Sequence, residues 1–168
     1  MRKYLFLLLM FGAITASAQD AYWKKWNAAY PLYDVATMLK KEHAKAIQTD
    51  KNPKLPQYYF RKAKYRFKAT IMGATSNINP ETFNAIKRLY KQTGGDPALL
   101  TRLFKKSVLV KVGNDMIWMP IQDKVLDGLK NEMEKGDVAT IYCLYLNEHT
   151  TNHILHNYFL ISEFKKDI

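Results

Sequence analysis

The chain changes its hydrophobic period once, near Ser107, and that change decides what it can fold into. Before it, apolar residues recur every three or four positions, the spacing of one helix face; after it they alternate, the spacing of a half-buried strand. A chain with separate helical and stranded stretches builds an α+β fold, with helices gathered beside an antiparallel sheet.

In the first stretch Trp23, Trp26 and Tyr30 are spaced by three and four, and Val35, Met38, Leu39 and Ala46 share one side of the next segment. Pro31 is expected to start or kink that second helix, which the spacing carries to about Ile47. The polar run Thr49 to Pro56 contains two prolines and reads as a loop. Two later helix starts are marked by chemistry. Asn79-Pro80-Glu81 and Asp96-Pro97 each put a capping side chain before a proline at the first helical position, where the missing N–H costs nothing. The first helix runs through Phe83, Ile86, Leu89 and Tyr90 to Gly94-Gly95; the second carries Leu99, Leu100, Leu103 and Phe104. Residues 19–106 are thus expected to be mainly helical, with about four helices.

Beyond Ser107, Val108 to Val112 and Met116 to Met119 flank Gly113-Asn114-Asp115 as a β-hairpin, which Pro120 ends or places at an edge. Val125, Leu126, Leu129 and Met133 have helical spacing, and strands are expected from Val138 to Leu146 and from Tyr158 to Phe164. Residues 107–168 therefore form a small antiparallel β-β-α-β-β unit, packed on the first part as one compact body. An OB-type barrel needs five strands, one more than these four.

The extreme N-terminus has the order of a cleavable export signal: Arg2 and Lys3, an apolar run from Tyr4 to Ile14, then Ala16-Ser17-Ala18. The apolar run is about half what a membrane span requires. The expected mature chain begins near Gln19 and is periplasmic or secreted, from a bacterial envelope, with no transmembrane anchor after cleavage. Removing residues 1–18 leaves 24 basic and 15 acidic side chains, a net charge of +9. Residues 19–106 hold 18 bases and 6 acids, whereas residues 107–168 hold 6 and 9, so any attraction to anions belongs to the first part.

That charge is densest from Tyr58 to Lys68, YYFRKAKYRFK, with five basic and five aromatic residues in eleven. Read as a helix, it puts Phe60, Ala63, Phe67, Ile71 and Ala74 on one stripe and turns Arg61, Lys62, Tyr65, Arg66 and Lys68 outward. Read as a strand, Tyr65, Phe67, Ala69 and Ile71 alternate with Lys64, Arg66, Lys68 and Thr70. Both templates fit; the helical surroundings favour the helix. Either way, cations beside a tyrosine ring suit phosphates, sulfates or uronates through charge and sugar rings or bases through stacking. The same features also suit a solvated face that keeps the protein soluble.

His149, His153 and His156 follow Glu148 in the segment between the last two strands. Three imidazoles can hold zinc with a fourth position open. There is no HExxH pattern to supply a general base, and the bland reading is a set of loop histidines. Trp23, Trp26, Tyr30 and Tyr33 read as packing aromatics rather than a sugar platform. The only cysteine, Cys143, excludes an internal disulfide and lies in an apolar run, so it reads as a buried small hydrophobe. No glycine-rich phosphate loop, GxSxG elbow or CxxC is present, and no cofactor is expected.

Together these features lead to an exported, non-enzymatic binding protein. Its ligand-binding residues are Arg61, Lys62, Tyr65, Arg66 and Lys68. Its partner is an anionic glycan, a lipid headgroup or an envelope protein, with nucleic acid disfavoured by export. The alternatives are a small metal-assisted hydrolase using His149, His153 and His156, and an envelope protein that docks on a partner or on itself.

Overall fold

The computed structural model describes residues 19–167, so the export signal read from residues 1–18 lies outside the described residues. The fold is α+β. Helix α1 spans residues 19–29, followed by α2 (Val35–Lys51), β1 (Tyr59–Asn77), α3 (Pro80–Gln92), α4 (Pro97–Leu103), β2 (Phe104–Val112), β3 (Asp115–Gln122), α5 (Asp123–Glu132), β4 (Val138–His149) and β5 (Leu155–Lys166). The strands close into a barrel in the order β1-β2-β3-β5-β4. All neighbours are antiparallel except β3 and β5, which meet in parallel at Ile121 and Ile161. That strand order, with one helix between β3 and β4, is the topology of an OB-type barrel.

The strand that completes the barrel is β1, the segment read above as a helix. Residues 59–77 form a strand of 19 residues. Tyr59 to Thr70 pair with β4, and Thr70 to Asn77 pair with β2. Local preference did not separate helix from strand here, and pairing with a distant partner decided it. The strand passes from β4 to β2 at Thr70, and its pairing with β2 shifts register between Ile71 and Thr75. Gly73 sits in that shift at φ +74°, a left-handed conformation that glycine adopts without strain. Because β1 comes from the basic part, the charge boundary near residue 107 runs through one sheet.

The barrel interior is dry, and part of its outer wall is covered as well. Inside, Phe67, Val110, Met119, Ile141, Cys143, Phe159 and Ile161 pack together at no more than 3 % exposure. One end is closed by α5 through Leu126 and Leu129, and the other by α2 through Val35 and Met38. Outside, Ile86 and Leu89 of α3 and Leu100 of α4 cover Leu146 and Leu160. Cys143 is fully buried and burial pushes its thiol up, so it packs as a small hydrophobe.

The local signals for α3 and α4 act as expected. The Asn79 side chain accepts from the Glu81 and Thr82 amides at 2.9 and 3.0 Å, and Asp96 accepts from Ala98 at 2.9 Å. Helix α2 differs at both ends from its expected limits: Asp34 caps its start, and it continues to Lys51 before Asn52-Pro53 stops it. Pro31 lies ahead of the helix in an extended link, where its carbonyl accepts from the Arg66 amide at 2.9 Å and the Tyr33 amide donates to the Arg66 carbonyl at 2.9 Å. This link covers the edge of β1 that faces away from β4. Pro120 lies inside β3, opposite Ser107, on a strand whose far side meets β5 at a single pair.

Candidate functional site

Strand geometry divides the five expected ligand-binding residues between two environments. Successive strand residues point to opposite faces. Arg61 and Tyr65 turn toward the barrel interior, while Lys62, Arg66 and Lys68 turn outward with Lys64.

Inside, Arg61 forms an ion pair with Glu42 of α2, which is 7 % exposed, and its guanidinium lies over the Tyr145 ring at 5.6 Å. Asn147 donates to the same carboxylate at 3.2 Å. Burial opposes the charge on Arg61, and the Glu42 carboxylate outweighs it and raises the guanidinium above its ordinary value. Tyr65 stacks on Tyr33 at 4.6 Å. Both residues fasten α2 and its leading segment to the barrel mouth.

Outside, Arg66 donates to the Asn27 and Tyr30 carbonyls at 2.7 and 2.6 Å, where a cation complements the C-terminal end of α1. Lys68 pairs with Asp167 at 2.9 Å. Trp23, Trp26 and Tyr30 gather around the Tyr142 ring at 5.7, 5.6 and 5.9 Å, so these aromatics are packing, as expected.

Lys62 and Lys64 remain. Neither ammonium is in an ion pair among the described residues. Lys62 lies over the Tyr90 ring at 5.1 Å and Lys64 over the Tyr30 ring at 5.3 Å. They border a cleft of about 290 Å³ between α4 and the outer wall, with Leu100, Leu103, Phe104 and Leu144 as an apolar floor and Gln122 and Ser162 as neutral polar groups. Two cations above an apolar floor can hold one anionic group on an otherwise apolar or ring-shaped body. Sequence reading missed Lys64, Tyr30 and Tyr90 as members of this site. The alternation of Lys62, Lys64, Arg66 and Lys68 was the available signal, once the segment is known to be a strand.

The histidines also separate. His149 lies opposite Leu155 at the barrel rim, whereas His156 lies opposite Glu148. Cross-strand partners share a face, so His156 is on the other side of the wall from His149; its ring stacks on Tyr158 at 5.8 Å. The group brought together is Asp50, His149 and His153. Asp50 Oδ1 is 2.9 Å from His149 Nε2 and 2.7 Å from His153 Nδ1. Burial works to raise the Asp50 carboxyl, and the two imidazoles outweigh it and hold it below the usual carboxylate range. Asp50 gave no sequence signal, because it sits in the stretch read as a loop about a hundred residues from its partners.

On the outer wall, Arg88 of α3 makes a two-pronged pair with Glu148 at 2.7 and 2.6 Å, and the Glu148 side chain is 1 % exposed. Burial works to raise this carboxyl; the bonds from Arg88 prevail and lower it. The Arg88–Glu148 pair is structural, locking α3 to β4.

Comparison with protein-family models, with curated proteins and with solved structures returned no match to this chain.

Proposed function

We propose that this is an exported, non-enzymatic binding protein that holds an acidic group of a glycan or a lipid headgroup in the cleft of Lys62 and Lys64. The carrying observation is the pair of ammonium groups without acidic partners, each over a tyrosine ring and both beside an apolar floor. Export rests on the Arg2-Lys3, Tyr4–Ile14 and Ala16–Ala18 sequence pattern. The ligand chemistry is a carboxylate, sulfate or phosphate carried on a sugar ring or an acyl-bearing body. The reading is narrower than a broad cationic surface, since Arg61, Arg66 and Lys68 are committed to contacts within the protein.

The test is binding of the mature chain to a sulfated polysaccharide, to vesicles with and without anionic phospholipid, and to duplex DNA across a salt series. Two free cations give a slope of log K against log salt near −2, against about −4 or steeper for a five-cation face, on the counterion-release scale. Lys62→Glu with Lys64→Glu, both exposed, lowers affinity at least tenfold at low salt with the fold intact. Equal binding by this double variant, or no binding to any of the three partners, overturns the proposal.

One observation favours a second location. OB-type barrels often take ligands on the outer face of β2 and β3, and here that face displays Trp118, 48 % exposed. Trp118 also borders a recess of about 330 Å³ with Asn77, Asn79 and Ser107. Trp118→Ala in the same assays separates the two: it leaves cleft binding unchanged and abolishes binding on the β2–β3 face.

A further inference from the structure

We infer that Asp50, His149 and His153 form a binding site for a zinc-class divalent metal ion. The site lies where the last turn of α2 meets the β4–β5 connection at the barrel rim. The three ligand atoms lie within 4.8 Å of one another.

The proton arrangement of His149 points to a cation. Its Nδ1 is 2.9 Å from the Gln57 carbonyl, which can only accept, so Nδ1 carries a proton. Its Nε2 is fully buried, makes no hydrogen bond, and faces Asp50 Oδ1 at 2.9 Å. A lone pair held that close to a carboxylate oxygen is repulsive unless something positive lies between them. A metal ion satisfies both groups, and an imidazole whose other nitrogen donates to a backbone carbonyl is the usual state of a metal-ligating histidine.

The surrounding chain holds these groups in place. The two protons of the Gln57 amide nitrogen are shared among the carbonyls of Thr49, Asn52 and Leu55, which lie at 3.2, 3.1 and 2.9 Å, and this folds the segment after α2 back beneath His149. The His149 ring stacks on Tyr59 at 5.1 Å and 7°. His153 stands at φ 63°, the single non-glycine residue with positive φ among those described. The turn from Thr150 to Ile154 that imposes this conformation aims its ring at Asp50. For an unbranched functional position, that strain is repaid by what the ring contacts.

Two imidazoles and one carboxylate select zinc, cobalt, nickel or copper over calcium and magnesium, which prefer all-oxygen shells. Tetrahedral bonds of about 2.0–2.1 Å set ligand atoms roughly 3.3 Å apart. The two contacts to Asp50 then open by about half an ångström, which the partly exposed Asp50 and His153 side chains allow. Three protein ligands leave a fourth position for water or an anion on the solvent side. This inference does not depend on the Lys62–Lys64 cleft.

The experiment uses the mature chain made without a histidine tag, stripped with chelator and titrated with Zn²⁺ by calorimetry. A parallel Co²⁺ titration is followed in the visible region. The expected result is one ion per chain, tetrahedral cobalt bands, and a higher melting temperature with Zn²⁺ that chelator reverses. His153→Gly removes a ligand while relieving the positive φ; it lowers affinity at least tenfold and leaves the metal-free melting temperature unchanged or raised. Asp50→Asn gives a similar loss, and His156→Ala gives none. Absence of saturable 1:1 binding, or wild-type affinity in His153→Gly, overturns the inference.

Discussion

Both faces of strand β4 are largely buried, yet they are covered by different means. The inner face is sealed by the barrel itself, with β1, β3 and β5 closing around it and α2 and α5 stopping the ends. The outer face is covered by α1 over Tyr142 and by a layer added between β1 and β2, the helices α3 and α4, with its own smaller apolar cluster and one ion pair. The inner core cannot open without breaking strand pairing. The outer layer can lift away and leave every ladder intact. The molecule therefore has one cooperative unit and one cover, and the proposed ligand cleft lies at the edge of the cover.

The strongest way to break the inner face is Phe159→Ala, which empties a fully buried ring site and costs about 4 kcal/mol; urea unfolding followed by fluorescence and by far-UV dichroism should shift together. Leu89→Ala in the cover costs about 3 kcal/mol, and the comparison sharpens in hydrogen exchange. Amides of α3 and α4 gain exchange far more than those of β1 and β4, because local opening suffices. A uniform rise across the barrel would show that the cover is not separable.

Arg88→Ala leaves the buried Glu148 without its partner. The cost is about 2 kcal/mol, below the figure for a wholly buried pair because Arg88 is half exposed. Replacing both residues together, Arg88→Met with Glu148→Leu, recovers most of that loss in the same unfolding assay. The pair also has a pH signature. Glu148 is lowered in the folded state, so the unfolded chain binds its proton first as pH falls. Its contribution is complete above about pH 4.3, the unfolded value, and is lost as pH falls through the lower folded value. Glu148→Gln flattens the dependence of stability on pH in that window. The smallest effect is Asp96→Ala at the start of α4, about 1 kcal/mol, again with exchange rising first in the cover.

What sequence revealed and what it concealed follow the range of the interaction concerned. Asn79-Pro80 and Asp96-Pro97 announce helices because a cap bonds residues two or three positions away. The β2–β3 hairpin was legible through its Gly113 turn for the same reason. Strand β1 was not, since its partner Tyr142 lies far along the chain from Arg66 and both periods fit its own residues. The basic-aromatic run was visible as a run, but its division between Arg61 inside and Lys62 outside needs the strand pleat. His149 and His153 were candidates on spacing alone; Asp50 joins them only through the docking of α2 on the rim.

The anchoring of α1 on Tyr142 has a consequence in time. A chain that is made or threaded across a membrane from its first residue presents α1 long before β4 exists to receive it. The barrel also stays unfinished, because the first part of β1 has no strand of the barrel to pair with until β4 arrives. Long-range pairings of this kind form late and slowly. The polypeptide thus remains without its final shape until nearly all of it has been made. Its leading end is fastened among the last, when Tyr142 arrives beneath Trp23 and Trp26.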